Sequence, residues 1–110
     1  MATQVARFAH RSEAAFAALL DFYDVQWVYE PCAFPIRWDG EGNVAEWFTP
    51  DFYLPEHDLF IETTVLSPRL QTRKNRKVRL LMQAYPDLKI KLLGRRDLER
   101  VFSRRLARAS

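Results

Sequence analysis

Two carboxylates stand inside apolar runs that read as strands: Asp51 in EWFTPDFYL (46–54) and Glu62 in LFIETTVL (59–66). Side chains alternate along a strand, so Asp51 shares its face with Thr49 and Tyr53, and Glu62 shares its face with Phe60 and Thr64. Adjacent strands would bring the two acids together. A carboxylate flanked by Leu59-Phe60-Ile61 and Val65-Leu66 is costly to bury unless it is paired or metal-bound. Two oxygen anions about one strand spacing apart suit Mg²⁺ or Mn²⁺, which take carboxylates, waters and phosphate oxygens at about 2.1 Å. No thiol or imidazole cluster favours zinc. A salt bridge within the fold is the structural alternative for Glu62.

A lysine completes the set. On a helical wheel for PRLQTRKNRKVRLLMQAY (68–85), Lys74 falls about 40° from Leu70, on the same stripe as Val78, Leu81 and Tyr85. Lys77 lies at the edge of that stripe, about −20° from Leu70, whereas Asn75 and Arg76 point away from it. A lysine facing two acids can orient an attacking water and stabilise charge on a phosphorane-like transition state. Its structural alternative is snorkelling past the stripe to solvent.

Charge is divided along the chain. Residues 1–68 carry three basic against 11 acidic side chains, a net −8, and residues 69–110 carry 14 basic against three acidic, a net +11. Such asymmetry implies an anionic partner for the C-terminal part, with Arg69, Arg73, Arg76, Lys77 and Arg79 as contacts to nucleic-acid phosphates. Attraction between the two halves within the fold is the alternative.

The elements that must position these groups follow from periodicity. Ser12–Tyr23 reads as a helix with Ser12 as N-cap and Glu13 in its first turn. Val25–Ile36 reads as a strand ending near Pro31, and Asp39-Gly40-Glu41-Gly42-Asn43 as a turn. The runs around Asp51 and Glu62 form a hairpin through Pro55-Glu56-His57-Asp58, and Pro68–Tyr85 is the long helix, with Pro68 in its first turn and Pro86 as its stop. Leu88–Leu93 is a last strand and Asp97–Ala107 a last helix. The expected architecture is α/β: a single domain of αβββαβα order over 1–110, its core about 10–106, with a small mixed four-stranded sheet flanked by helices. Trp27, Trp47, Phe48 and Phe52 read as core.

Pro50-Asp51-Phe52 followed by Ile61-Glu62-Thr63-Thr64 on consecutive strands resembles the core of the PD-(D/E)XK nuclease superfamily, whose element order is similar. The resemblance implies a restriction-endonuclease-like fold in which Asp51 and Glu62 hold the metal and Glu13 assists. It also implies a catalytic lysine two residues after the second acid. Thr64 stands there instead, and Lys74, with Lys77 second, is placed for a lysine migrated onto the following helix. The blocks PDFYLPE and TRKNRK are also similar to those of short uncharacterised bacterial proteins, a likeness that supplies no function.

The expectation is therefore a Mg²⁺- or Mn²⁺-dependent nuclease, DNA favoured over RNA, with Asp51, Glu62, Lys74 and Glu13 as catalytic residues. A homodimer or larger assembly would serve to cut both strands. The rival is a non-catalytic nucleic-acid-binding or assembly module on the same fold. Glu13 has a bland reading, since any acid is favoured in a first helical turn, and Glu30 reads as an exposed acid beside Pro31. His10 and His57 lack a nucleophile pattern. The lone Cys32, the polar N-terminus and the lack of a bilayer-length apolar run point to a cytoplasmic protein without a membrane partner.

Overall fold

The computed structural model describes residues 7–101. Helix α1 (Arg11–Phe22) buries Glu13, Phe16, Ala17 and Leu20, the i, i+3, i+4, i+7 spacing of a single face. Its N-cap is His10 rather than Ser12, and no side chain caps it. The helix ends at Asp24, whose φ of 57° is left-handed. There Val25 N–H reaches Leu20 O and Asp24 N–H reaches Asp21 O, a Schellman arrangement with an aspartate where glycine is usual.

The aromatic run after α1 does not form one strand. It gives β1 (Val28–Tyr29), a break, and β2 (Phe34–Trp38), which turns back into β3 (Val44–Phe48). Glu30 takes a left-handed φ of 44° at the break, and Pro31 removes a ladder donor. The expected strand 46–54 splits in the same way: β3 ends at Phe48, and β4 (Phe52–Leu54) begins after Pro50. The β2–β3 turn lies at Asp39–Asn43 as its composition implies, with Asp39 N–H bonded to Asn43 O and Gly42 at φ 88°. After β4 the turn 55–58 leads into β5 (Leu59–Thr63), then α2 (Pro68–Ala84) and β6 (Ile90–Leu93), and residues 95–101 are helical. The rest of the expected last helix lies outside the described residues.

The main sheet has the order β1-β4-β5-β6. β4 pairs antiparallel with β1 and with β5, whereas β5 and β6 are parallel, because α2 returns the chain to the starting end. The sheet is thus mixed and four-stranded, as expected, but the three consecutive strands expected before the long helix do not pair in sequence order. β2 and β3 leave the sheet as a separate antiparallel hairpin. Two apolar clusters result. Phe16, Leu20, Trp27, Phe52, Leu54, Ile61 and Leu98 join α1 and the last helical segment to one side. Ile36, Phe48, Val78, Leu81 and Ile90 join the hairpin to α2 and β6. Tyr85 O–H donates to Pro35 O, and Arg76 makes a two-pronged pair with Glu46, fastening the hairpin to α2.

Ser67 caps α2 through its side chain and Pro68 opens it. Two residues expected inside lie outside: Leu70 is 47% exposed and Trp47 55% exposed. Leu70 belongs to the first turn of α2, beyond the reach of the sheet's core, and Trp47 faces away from Phe48, which takes the buried side of β3. Gly94 follows β6 where a Cβ would stand 2.6 Å from Thr64 Oγ1, so a side chain there would have to displace the Thr64 hydroxyl.

Candidate functional site

β4 and β5 pair with Phe52 opposite Ile61, which leaves Asp51 and Glu62 as neighbours at one end of the sheet. Asp51 N–H donates to Glu62 Oε1 at 3.0 Å. Thr63 then holds Asp51 twice: its backbone N–H and its hydroxyl both donate to Asp51 Oδ2, at 2.9 and 2.6 Å. The strand pairing therefore fixes the orientation of both carboxylates through local bonds.

Lys74 reaches this pair from the second turn of α2. Its Nζ donates to Thr63 O at 2.7 Å and lies 3.3 Å from Glu62 Oε2 and 3.5 Å from Asp51 Oδ2. The inward stripe on α2 thus carries the ammonium group to the two acids. Glu62 is 5% exposed, and burial, followed by the charge of Asp51, pushes its carboxyl up to about 7; Lys74 and the Asp51 N–H oppose that shift.

Glu13 is also buried, at the first turn of α1. Its Oε1 accepts from the Tyr29 hydroxyl at 2.5 Å, and the Tyr29 oxygen in turn accepts from Ala9 N–H. Burial and the Glu13 bond together raise the Tyr29 phenol well above its ordinary value, so it stays a donor. Glu30, exposed, and Glu13 line one cleft of about 800 Å³ with Asp51, Glu62 and Lys74. Glu13 does not join Asp51 and Glu62 in a metal-sized group: among the described residues no three His, Cys, Asp or Glu side chains gather closely enough to hold an ion.

Of the five basic residues expected to contact phosphate, Arg73 and Lys77 line the cleft. Arg76 is held by Glu46, with N–O distances of 2.9 and 3.0 Å. Arg79 borders a separate depression with Met82 and Leu92, and Arg69 is exposed in the first turn of α2. Arg11, not singled out from sequence, and Trp47, expected in the core, line the cleft as well. Thr63, between Glu62 and Thr64, joins the site through the β4–β5 register, which the sequence pattern does not reveal. No helix among the described residues is long and apolar enough to cross a membrane.

Two carboxylates are too few for a closed protein cage of the kind zinc or calcium takes, but Mg²⁺ keeps several waters and commonly binds through one or two carboxylates plus substrate phosphate. Asp51 and Glu62, adjacent and only partly offset by Lys74, fit that smaller demand. Compared with known proteins, the chain matches no family model, no curated protein and no solved structure.

Proposed function

We propose that this chain is a metal-dependent nuclease hydrolysing nucleic-acid phosphodiester bonds, with DNA favoured over RNA. The observation that carries the reading is the approach of Lys74 Nζ to Asp51 and Glu62 at 3.5 and 3.3 Å, inside a cleft bordered by Arg73 and Lys77. A structural ion pair alone would not require two adjacent acids, Glu62 buried and Asp51 half-buried, for one lysine. It would also not require the acids to be oriented by Thr63 and by the Asp51 backbone.

In this reading Asp51 and Glu62 would hold Mg²⁺ or Mn²⁺. When bound, the ion supplies Lewis-acid charge against a phosphoryl oxygen. Lys74 places a positive charge where the transition state gains negative charge and donates a hydrogen bond that orients the attacking water. Its bond to Thr63 O fixes the ammonium before substrate arrives, so little reorganisation is needed. Arg73 and Lys77 take the flanking phosphates. Glu13, steadied by Tyr29, assists from α1 as a second acidic wall. The resemblance to the PD-(D/E)XK superfamily supports the same roles, with Lys74 in place of the lysine absent at Thr64. A homodimer would supply two such sites to a duplex.

The test is cleavage of labelled single-stranded, duplex and branched DNA, with an RNA control, in Mg²⁺, Mn²⁺ or EDTA. Cutting should require the metal and should fall at least about 100-fold in Asp51→Asn, while much of the binding persists. Lys74 already neutralises part of the acid pair, and this favours one second reading: a module that keeps the fold and binds without cutting. Salt-dependent binding with no cleavage under any of these conditions would select it.

A further inference from the structure

Trp47 is a large apolar side chain left 55% exposed on β3, and it lines the same cleft as Arg73, Lys74 and Lys77. Burying an indole is favourable, and on this hairpin Phe48 is 4% exposed and Phe34 packs edge-on against Phe60; Trp38, 46% exposed on β2, is left outside as well but does not line the cleft. Trp47 instead stands opposite Pro35 in the β2–β3 ladder, so the backbone beneath it is fixed by strand pairing. The hairpin is in turn clamped to α2 by the Glu46–Arg76 pair and the Tyr85–Pro35 bond. The indole is therefore held on a rigid support beside a cationic wall. Leu70, 47% exposed, lines the cleft too and adds apolar surface near the same cations.

Aromatic platforms next to cations are how proteins hold unpaired nucleic acid: the cations follow the backbone and the ring takes a base by stacking, without regard to sequence. A paired base has its faces covered by its neighbours in the stack and cannot use such a platform unless it is unstacked. The cleft, at about 800 Å³, is of the size that takes small ligands, and so accommodates one or two nucleotides rather than a duplex.

Resting on the nuclease reading, we propose that Trp47 is a stacking subsite for an unpaired base, so that the substrate is a single strand, a flap or a junction with a splayed nucleotide. The phosphate next to the stacked base then lies toward Arg73 and Lys77, and the strand continues past Lys74. Stacking adds affinity that salt does not remove, whereas the contacts of Arg73 and Lys77 weaken as salt rises. The two contributions are separable.

The experiment measures binding of a labelled single-stranded DNA oligonucleotide and of its blunt duplex across a salt series, in the Asp51→Asn background so that nothing is cut. Trp47→Ala should weaken single-strand binding by about 5- to 150-fold at every salt concentration with the salt slope unchanged. Trp47→Phe should recover most of the affinity, which also shows that the effect is not a folding defect. Trp38→Ala, at an exposed tryptophan of β2 that does not line the cleft, should bind as the parent does. Equal single-strand affinity in Trp47→Ala and its parent would overturn the proposal, as would a preference for blunt duplex. So would a change of oligomeric state in Trp47→Ala with binding intact, since the indole would then belong to a protein interface. Absence of salt-dependent binding to any nucleic acid would overturn the nuclease reading itself, a distinguishable result.

Discussion

Thr63 links the three chemical groups: two of its donors go to Asp51 Oδ2 and its carbonyl receives Lys74. Replacing it by valine keeps the β-branched shape and the backbone bonds but removes the hydroxyl. A bond to a charged acceptor contributes about 1.5–3 kcal/mol, so denaturant unfolding of Thr63→Val should show a loss toward the low end of that range. In the nuclease reading the same substitution weakens Mg²⁺ binding, measured as a smaller metal-dependent rise in Tm. Glu62 sets a pH dependence with a definite sign. Its carboxyl titrates near 7 in the fold against 4.5 ordinarily, so the folded state holds the proton more tightly and loses stability as pH rises through that window. The stability of the metal-free protein relative to Glu62→Gln should fall between about pH 4.5 and 7, by up to about 3 kcal/mol, and level off above. A flat difference across that range would show the carboxylate to be better compensated than its surroundings imply. Asp51, Glu62 and Lys74 were legible in the sequence because strand alternation and the helical wheel each depend on one short run. Thr63 was not, because its role depends on the register of β4 against β5 at the point where β4 begins.

At the scale of elements, the hairpin β2–β3 was the part least visible in the sequence. The strand end near Pro31 was legible, but the left-handed Glu30, the new strand that starts at Phe34 and the break at Pro50 within Glu46–Leu54 were not, because apolar residues continue on both sides of them. The end of α1 is also marked by backbone rather than composition. Asp24→Gly should stabilise the fold by about 0.5–1 kcal/mol in thermal unfolding, because glycine adopts the left-handed φ without the Cβ penalty. The close approach of β5 and β6 gives the opposite outcome. Gly94→Ala sets a methyl 2.6 Å from Thr64 Oγ1 and should cost about 1–3 kcal/mol, and Thr64→Ala in the same chain should restore part of the loss. Arg76, exposed and paired with Glu46, marks where charge pattern misleads. Its side chain has a partner already, so Arg76→Gln should change the salt slope of DNA binding less than Arg73→Gln, which removes about one phosphate contact.

Over the whole molecule, the division of charge in the sequence becomes a division within one cleft, with Glu13, Glu30, Asp51 and Glu62 meeting Arg11, Arg73, Lys74 and Lys77. The wheel of α2 and the hairpin of β4 and β5 were enough to anticipate this meeting at low resolution; which cations reach the cleft was decided by tertiary packing that no local pattern records. Glu62 lies on β5 and Asp51 just before β4, whereas their cation belongs to a helix whose seat depends on Val78, Leu81 and the clamped hairpin. A strand-borne lysine would be delivered by sheet pairing alone. Here the chemistry proposed is withheld from any chain whose helix has not yet docked, so a nascent or damaged copy carries its acids without the means to cut. In the nuclease reading, activity would then report on completed folding.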